Sequence, residues 1–243
     1  MGDSRAALVI GAGPGLGASI CRRFGREGFT ICGVRRRHAD ELDDLCREIG
    51  DAGGEAHGFT TDMRNEEEVV ALFDKIEKDI GPLRVVVFNP GANVSFSIEE
   101  TTTRVFTKVW EMACFAGFLV GREAARRMLP RAEGTILFTG ATASVRGGAG
   151  FSAFASAKAG LRSVAQSMAR ELGPKGIHVG HVVIDGGIDG AFIREMMGDR
   201  LKEMPPDAIL DPEDIAETYW ALHAQRRSAW TFEADVRPWT ERW

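Results

Sequence analysis

Short apolar runs alternate along the chain with longer stretches in which apolar residues recur every three or four positions. In Val85-Val86-Val87-Phe88 no polar face is left, as burial on both sides of a sheet requires. This pattern predicts strands over Ala6–Ile10, Phe29–Val34, Glu55–Thr60, Leu83–Phe88, Gly134–Thr139, Ile177–Ile184 and Ala229–Val236. Helices are predicted over Gly15–Glu27, Ala39–Asp51, Glu66–Ile80, Thr101–Leu129, Ala153–Leu172 and Pro212–Leu222. Alternation of this kind builds right-handed βαβ units, so the expected fold class is α/β: one doubly wound parallel sheet of about seven strands with helices on both faces.

No repeat, low-complexity stretch or linker interrupts the alternation, so residues 1–243 are expected to form a single domain. Asp211-Pro212 reads as a helix start, with Asp211 as N-cap. One segment, 188–210, stands outside the pattern. It carries Phe192, Ile193, Met196, Met197, Leu201 and Met204 at roughly helical spacing, then Pro205-Pro206. Two readings stand: a lid over an apolar ligand, or an amphipathic helix on the core. Its place after a strand's carboxyl end, where doubly wound sheets bind ligands, favours the lid.

Composition narrows the partners. The formal net charge of −5 argues against nucleic acid or an anionic membrane, since both call for a basic face. No apolar run reaches a membrane span, and Met1-Gly2-Asp3-Ser4 is too polar for a secretory leader. Cys21, Cys32, Cys46 and Cys114 form no C-x-x-C pair, which fits reduced thiols and a cytoplasmic location. The five histidines show no paired metal-ligand spacing, so no metal is expected.

The first strand runs into Gly11-Ala12-Gly13-Pro14-Gly15-Leu16-Gly17 and then a helix. Glycines permit a tight turn and keep side chains from between the backbone amides and a pyrophosphate, while the helix N-terminus adds free N–H groups. The domain is therefore expected to be of Rossmann type. At the end of the second strand stand Arg35, Arg36 and Arg37. An acidic residue there would bond the ribose 2′-OH of NAD, whereas arginine suits the 2′-phosphate of NADP. Three cations beside a helix N-terminus oppose its dipole, which counts against a merely solvated cluster. The expected cofactor is NADP(H).

Together these residues resemble the classical short-chain dehydrogenase/reductase family along the whole chain. Asp62-Met63 resembles that family's adenine-contacting Asp, and Phe88-Asn89-Pro90-Gly91 its Asn-Asn-Ala-Gly motif. Phe154-Ala155-Ser156-Ala157-Lys158 occupies its Tyr-x-x-x-Lys motif, and Asp185-Gly186-Gly187-Ile188 its Pro-Gly turn. The resemblance implies cofactor contacts from Gly11, Gly13, Pro14, Gly15, Leu16, Gly17, Arg35, Arg36, Asp62, Met63, Asn89, Pro90, Gly91, Lys158, Gly186 and Ile188. It also implies a homo-oligomer, a tetramer or dimer built through the helices at Thr101–Leu129 and Ala153–Leu172. Trp239 and Trp243 with Phe232 are consistent with a subunit contact, or with packing inside the monomer.

The departures carry as much weight. Phe154 replaces the proton-donating Tyr, Ala141 stands at the Ser position and Cys114 at the Asn position; only Lys158 of the catalytic tetrad is kept. The chain's one tyrosine, Tyr219, lies in the last helix and cannot serve by a slip of alignment. Loss of a positioned acid typically costs about 10² to 10⁴ in rate. Three functions remain open: an NADP(H)-dependent oxidoreductase with altered chemistry, a non-catalytic NADP(H)-binding homologue, and a redox-neutral isomerase or lyase. The first leads, with Lys158, Thr142, Ser144 and Cys114 as catalytic candidates and His181 and Asp185 as further proton donors. Phe96 and Phe192, with the methionines of 188–210, point to a small apolar substrate: a carbonyl, imine or enone.

Overall fold

The computed structural model describes residues 5–241; Met1–Ser4, Arg242, Trp243 and the side chains of Phe192 and Met196 lie outside the described residues. Seven parallel strands form one sheet in the order β3-β2-β1-β4-β5-β6-β7. They are β1 (Ala6–Ile10), β2 (Thr30–Arg35), β3 (Glu55–Thr60), β4 (Leu83–Phe88), β5 (Gly134–Thr139), β6 (Ile177–Ile184) and β7 (Glu233–Val236). The helices are α1 (Leu16–Arg26), α2 (Ala39–Asp51), α3 (Glu66–Asp79), α4 (Thr103–Trp110), α5 (Ala116–Met128), α6 (Ser152–Leu172), α7 (Ala191–Met197), α8 (Arg200–Glu203) and α9 (Pro212–His223). None is long and apolar enough to cross a membrane among the described residues.

Alternation along each strand divides the core between the two faces. Ala7 and Val9 of β1 pack with Phe24 of α1, Leu42 of α2 and Tyr219 of α9. Leu8 and Ile10 pack on the other side with Phe73 of α3, Leu119 of α5 and Leu161 of α6. One-residue alternation thus assigns the helices to layers. The strand order reverses at β1, which pairs with both β2 and β4. At such a switch point the connecting loops diverge and a crevice opens beyond the carboxyl ends of the strands.

Three elements differ from the pattern-based expectation. The predicted helix 101–129 is interrupted by a π-turn at Glu111–Phe115. The extra residue re-phases the apolar stripe, so that α4 packs on α6 while α5 packs on β4. A helical period cannot register one inserted residue. The last strand begins at Glu233, because the Gln225 side chain binds the Thr231 backbone N–H and hydroxyl and diverts the chain before it can pair. Segment 188–210 contains two short helices rather than one; Gly198, at φ 52, closes α7. Its two ends meet where Ile188 bridges Leu210.

Two histidines pack into this core, one fully and one partly buried. His181 on β6 is fully buried, and its Nδ1 lies 2.9 Å from Oε2 of Glu233 on β7. Arg162 of α6 donates twice to the same carboxylate, at 2.6 and 2.7 Å. His223 closes α9 among Phe24, Phe29 and Trp220. Burial pushes both imidazoles down to about 4 from an ordinary 6.5. Between those values the unfolded chain binds protons that the native one does not, so stability falls as pH drops from 6.5 towards 4. His181 alone is expected to contribute roughly 1.4 kcal/mol of loss per pH unit in that window. Urea unfolding of His181→Gln at pH 7 and pH 5 checks this: the variant should lose less stability on acidification than the parent. An equal loss would place the acid sensitivity elsewhere.

Candidate active site

The chain leaves β1 in a glycine loop whose geometry is dictated by close backbone approach. Gly11 and Gly15 adopt φ of +82° and +96°, values that side chains disfavour. A Cβ on Gly17 would fall 2.0 Å from the Gly11 carbonyl oxygen, so α1 can begin there only with glycine. The backbone N–H groups of Gly11 and Ala12 donate to Val34 O, which fastens the loop to β2. On the β4 side Asn89 donates from Nδ2 to Gly11 O at 3.2 Å. No side chain caps α1 and no acid lies in its first turn, so its N-terminal amides remain available to an anion.

A cavity of about 460 Å³ opens beside this loop. Its walls include Gly11, Gly13, Arg35, Arg36, Asp62 and Met63, with Asn89-Pro90-Gly91 at one end. Eleven of the expected cofactor residues are thus brought to one place or to the loop that borders it, counting Gly15 and Gly17. Pro14 and Leu16 lie between those two glycines and at the start of α1. The strand ends Ile10 and Val34 also line it, as do Arg37, His38, Thr61, Arg64, Met112 and Ala116, and the motifs did not single out the last five. Arg64 matters most among them. Its Nε donates to Asp62 Oδ1 at 2.8 Å and its Nη2 to Oδ2, and this pairing holds the Asp62 carboxyl below its usual range.

Lys158 lies behind the Pro90 end of the cavity. Its Nζ donates to Pro90 O at 3.0 Å and to Thr139 O at 2.9 Å, and it is almost fully buried. Burial lowers its pKa to about 8. The ring of Phe154, one turn earlier on α6, has its centroid 5.9 Å from that ammonium. Phe154 belongs to an apolar cluster with Ala92, Val109, Ala113 and Cys114, bordered by Ala141, Ala143 and Phe151. The Cys114 thiol, in the π-turn, packs against α6 where a Cβ on Gly160 would lie 2.9 Å from Sγ; burial raises its pKa.

The loop after β5 supplies the polar groups. Thr142 donates from Oγ1 to Asp185 Oδ1 at 2.5 Å, and Arg146 Nη2 approaches the same oxygen at 3.3 Å. Arg237 adds an ion pair to Oδ2 at 3.7 Å. The Asp185 carboxylate is buried and so ties the β5 loop, the end of β6 and the C-terminal segment together. Ser144 is buried too, and its Oγ accepts the Ala141 N–H at 3.1 Å. Gly186 follows Asp185 and meets Pro238, whose Cδ would be 2.7 Å from an added Cβ; Ile188 follows at the base of segment 188–210.

The chain belongs to the short chain dehydrogenase family, whose sequence profile matches residues 5–202. It is 30% identical over 218 residues to a cis-4-hydroxycyclohexanecarboxylate dehydrogenase of Sinomonas cyclohexanicum, covering 88% of this chain and 86% of that protein. A crystal structure of a short-chain dehydrogenase from Rhodopseudomonas palustris shares 49% identity at a TM-score of 0.82, with 98% of this chain and 99% of that one aligned. The NADPH-bound actinorhodin polyketide ketoreductase aligns at 26% identity and a TM-score of 0.88, over 97% of each chain. The chain spans 31% of the length of another relative, an uncharacterized oxidoreductase of Bacillus subtilis.

The Thr142–Asp185 bond crosses from one strand end to the next at a buried carboxylate, where a lost donor is felt. Thr142→Val keeps the shape and removes the hydroxyl. It is expected to lower the free energy of unfolding by about 1–3 kcal/mol, measured by urea denaturation. A loss below about 0.5 kcal/mol would show that the two arginines satisfy Asp185 without it.

Proposed function

We propose that the chain is an NADP(H)-dependent oxidoreductase whose proton-transfer groups differ from the family's, acting on a small apolar carbonyl, imine or enone. The observation that carries this reading is the continuity of one cleft: glycine loop, arginine-lined cavity, and a buried lysine bonded to the cavity wall at Pro90.

The residues fit the cofactor. Gly15 has no atom within 4 Å of where a Cβ would point, Gly17 admits none, and the uncapped N-terminus of α1 follows them directly, as a pyrophosphate cradle requires. Arg35 and Arg36 would hold the 2′-phosphate, Asp62 and Met63 the adenine end, and Asn89-Pro90-Gly91 with Gly186 and Ile188 the nicotinamide end. When bound, the cofactor supplies the hydride chemistry. NADPH in the actinorhodin ketoreductase, which shares this fold over 97% of the chain, supports the same choice.

Phe154 has no proton to give, Ala141 has no hydroxyl to orient a substrate oxygen, and Cys114 has no amide. Lys158 would then hold the ribose and contribute positive charge, while substrate accepts hydride without concerted protonation at the Phe154 position. A cationic imine or an activated alkene meets that requirement. Thr142 is the candidate donor that is only partly buried, and it would serve once its hydroxyl turns from the Asp185 carboxylate to substrate. Ser144 and Cys114 serve more simply as the brace of the β5 loop and the packing partner of Gly160. Segment 188–210 would close over the substrate as a lid on this single domain. Phe106, Trp110 and Phe118 are each about 40% exposed along α4 and α5, which supports a homo-oligomer formed through those helices. The free cysteines fit a cytoplasmic location.

The apolar cluster around Phe154 also favours a second reading, a catalytically silent NADP(H)-binding subunit, and a redox-neutral isomerase or lyase would use the same pocket. One pair of substitutions separates these. Phe154→Tyr with Ala141→Ser is expected to raise ketone reduction by NADPH at least 10-fold, about 1.4 kcal/mol in transition-state free energy. The parent should be more active on imines or enones than on ketones. No gain in the double variant, and no nicotinamide absorbance change with any of the three substrate classes, would favour the silent or redox-neutral protein.

A further inference from the structure

Arg35 does not reach freely into the cavity. Its guanidinium is folded back over the glycine loop, where a Cβ on Gly13 would lie 3.5 Å from Nε and Nη2. There Nη1 donates to Oε2 of Glu41 at 2.6 Å. Glu41 stands in the first turn of α2, and its other oxygen is 3.8 Å from Nδ1 of His38, a residue held at φ 63 just before the helix. The arginine side chain is 16% exposed and the glutamate 41%, so the carboxylate sits on the rim and neutralises a cation inside. Beyond the end of the neighbouring strand β3, Asp62 pairs with Arg64 in the same way. Asp40, next to Glu41 on the exposed start of α2, makes no ion pair with Arg35.

We propose that Glu41 is a specificity-determining residue of this pocket: its carboxylate occupies Arg35 where a phosphate would, and so narrows the preference for 2′-phosphorylated over unphosphorylated adenosine. This rests on the reading of the cavity as a nucleotide site. Carboxylate and phosphate compete for the same guanidinium donors. A 2′-phosphate must displace Glu41 or sit against its charge, and its apparent affinity falls with the fraction of Arg35 that is engaged. A 2′-hydroxyl meets neither cost and can donate to the carboxylate. The presence of three adjacent arginines therefore overstates how strongly the chain selects the phosphorylated cofactor.

Calorimetric titration with adenosine 2′,5′-bisphosphate and with 5′-AMP at fixed ionic strength tests this, because the two probes differ only in the 2′-phosphate. Glu41→Gln is expected to tighten the bisphosphate about 3- to 10-fold while 5′-AMP changes less than about 2-fold. Asp40→Asn, which removes the same charge one residue away, should leave their ratio unchanged. In an Arg35→Ala background the effect of Glu41→Gln should vanish, since Glu41 acts through Arg35. The proposal is overturned if Glu41→Gln leaves the ratio unchanged, if Asp40→Asn matches it, or if its gain survives without Arg35. Binding of neither probe to the parent protein would instead overturn the nucleotide reading itself.

Discussion

The ammonium of Lys158 leaves α6 and donates to the carbonyl oxygens of Pro90 and Thr139, 3.0 and 2.9 Å away. Those two carbonyls lie just beyond β4 and at the end of β5, on either side of the cleft mouth, so one buried cation fixes the separation of two strand ends and the tilt of a 21-residue helix. An ammonium out of water is stable only with such partners. Burial lowers its pKa to about 8, so the group is still mostly charged at neutral pH. The strand ends, the loop after β5 and the glycine loop bonded to Asn89 all take their positions around this point.

From there the cleft divides by chemistry. Towards β2 and β3 it is polar and charged, and two of its four arginines are paired, Arg35 by Glu41 and Arg64 by Asp62. Towards α4 and α6 it is apolar, with Phe154, Ala141 and Ala143 where proton chemistry would be expected. Beyond Lys158, the Asp185 carboxylate with Thr142 and its two arginines forms a strongly polar feature at the ends of β5 and β6. The site is thus better equipped to hold an anionic nucleotide than to protonate an oxyanion, which is why the proposed substrates need little help at the accepting atom.

Much of this was legible in the sequence because it depends on local patterning. Near-continuous apolar runs and 3.6-residue periods pointed to the parallel sheet and its helices, and the glycine spacing with the arginines at the end of β2 located the cavity. The remainder depended on pairings between residues distant in the chain or out of phase with it. The π-turn at Glu111–Phe115 inserts one residue into an unbroken helical period. Asp185 reads as part of a turn and as a candidate proton donor, and only the fold brings Thr142, 43 positions earlier, to donate to it. The Arg35–Glu41 contact spans only six positions, yet nothing in a strand–turn–helix pattern says that the arginine folds back rather than out. Arg64 stood two residues from Asp62, and that charge spacing was the one signal available for its role.

The central claim is that an intact NADP(H) site accompanies an altered reacting end. Fluorescence titration of the purified protein with NADPH and, separately, NADH tests it most directly, because it reads the site without requiring a substrate. The account expects micromolar NADPH binding at least ~10-fold tighter than NADH, about 1.4 kcal/mol of discrimination. Absence of binding by either nucleotide would contradict it, leaving the glycine loop and Lys158 as parts of the fold alone.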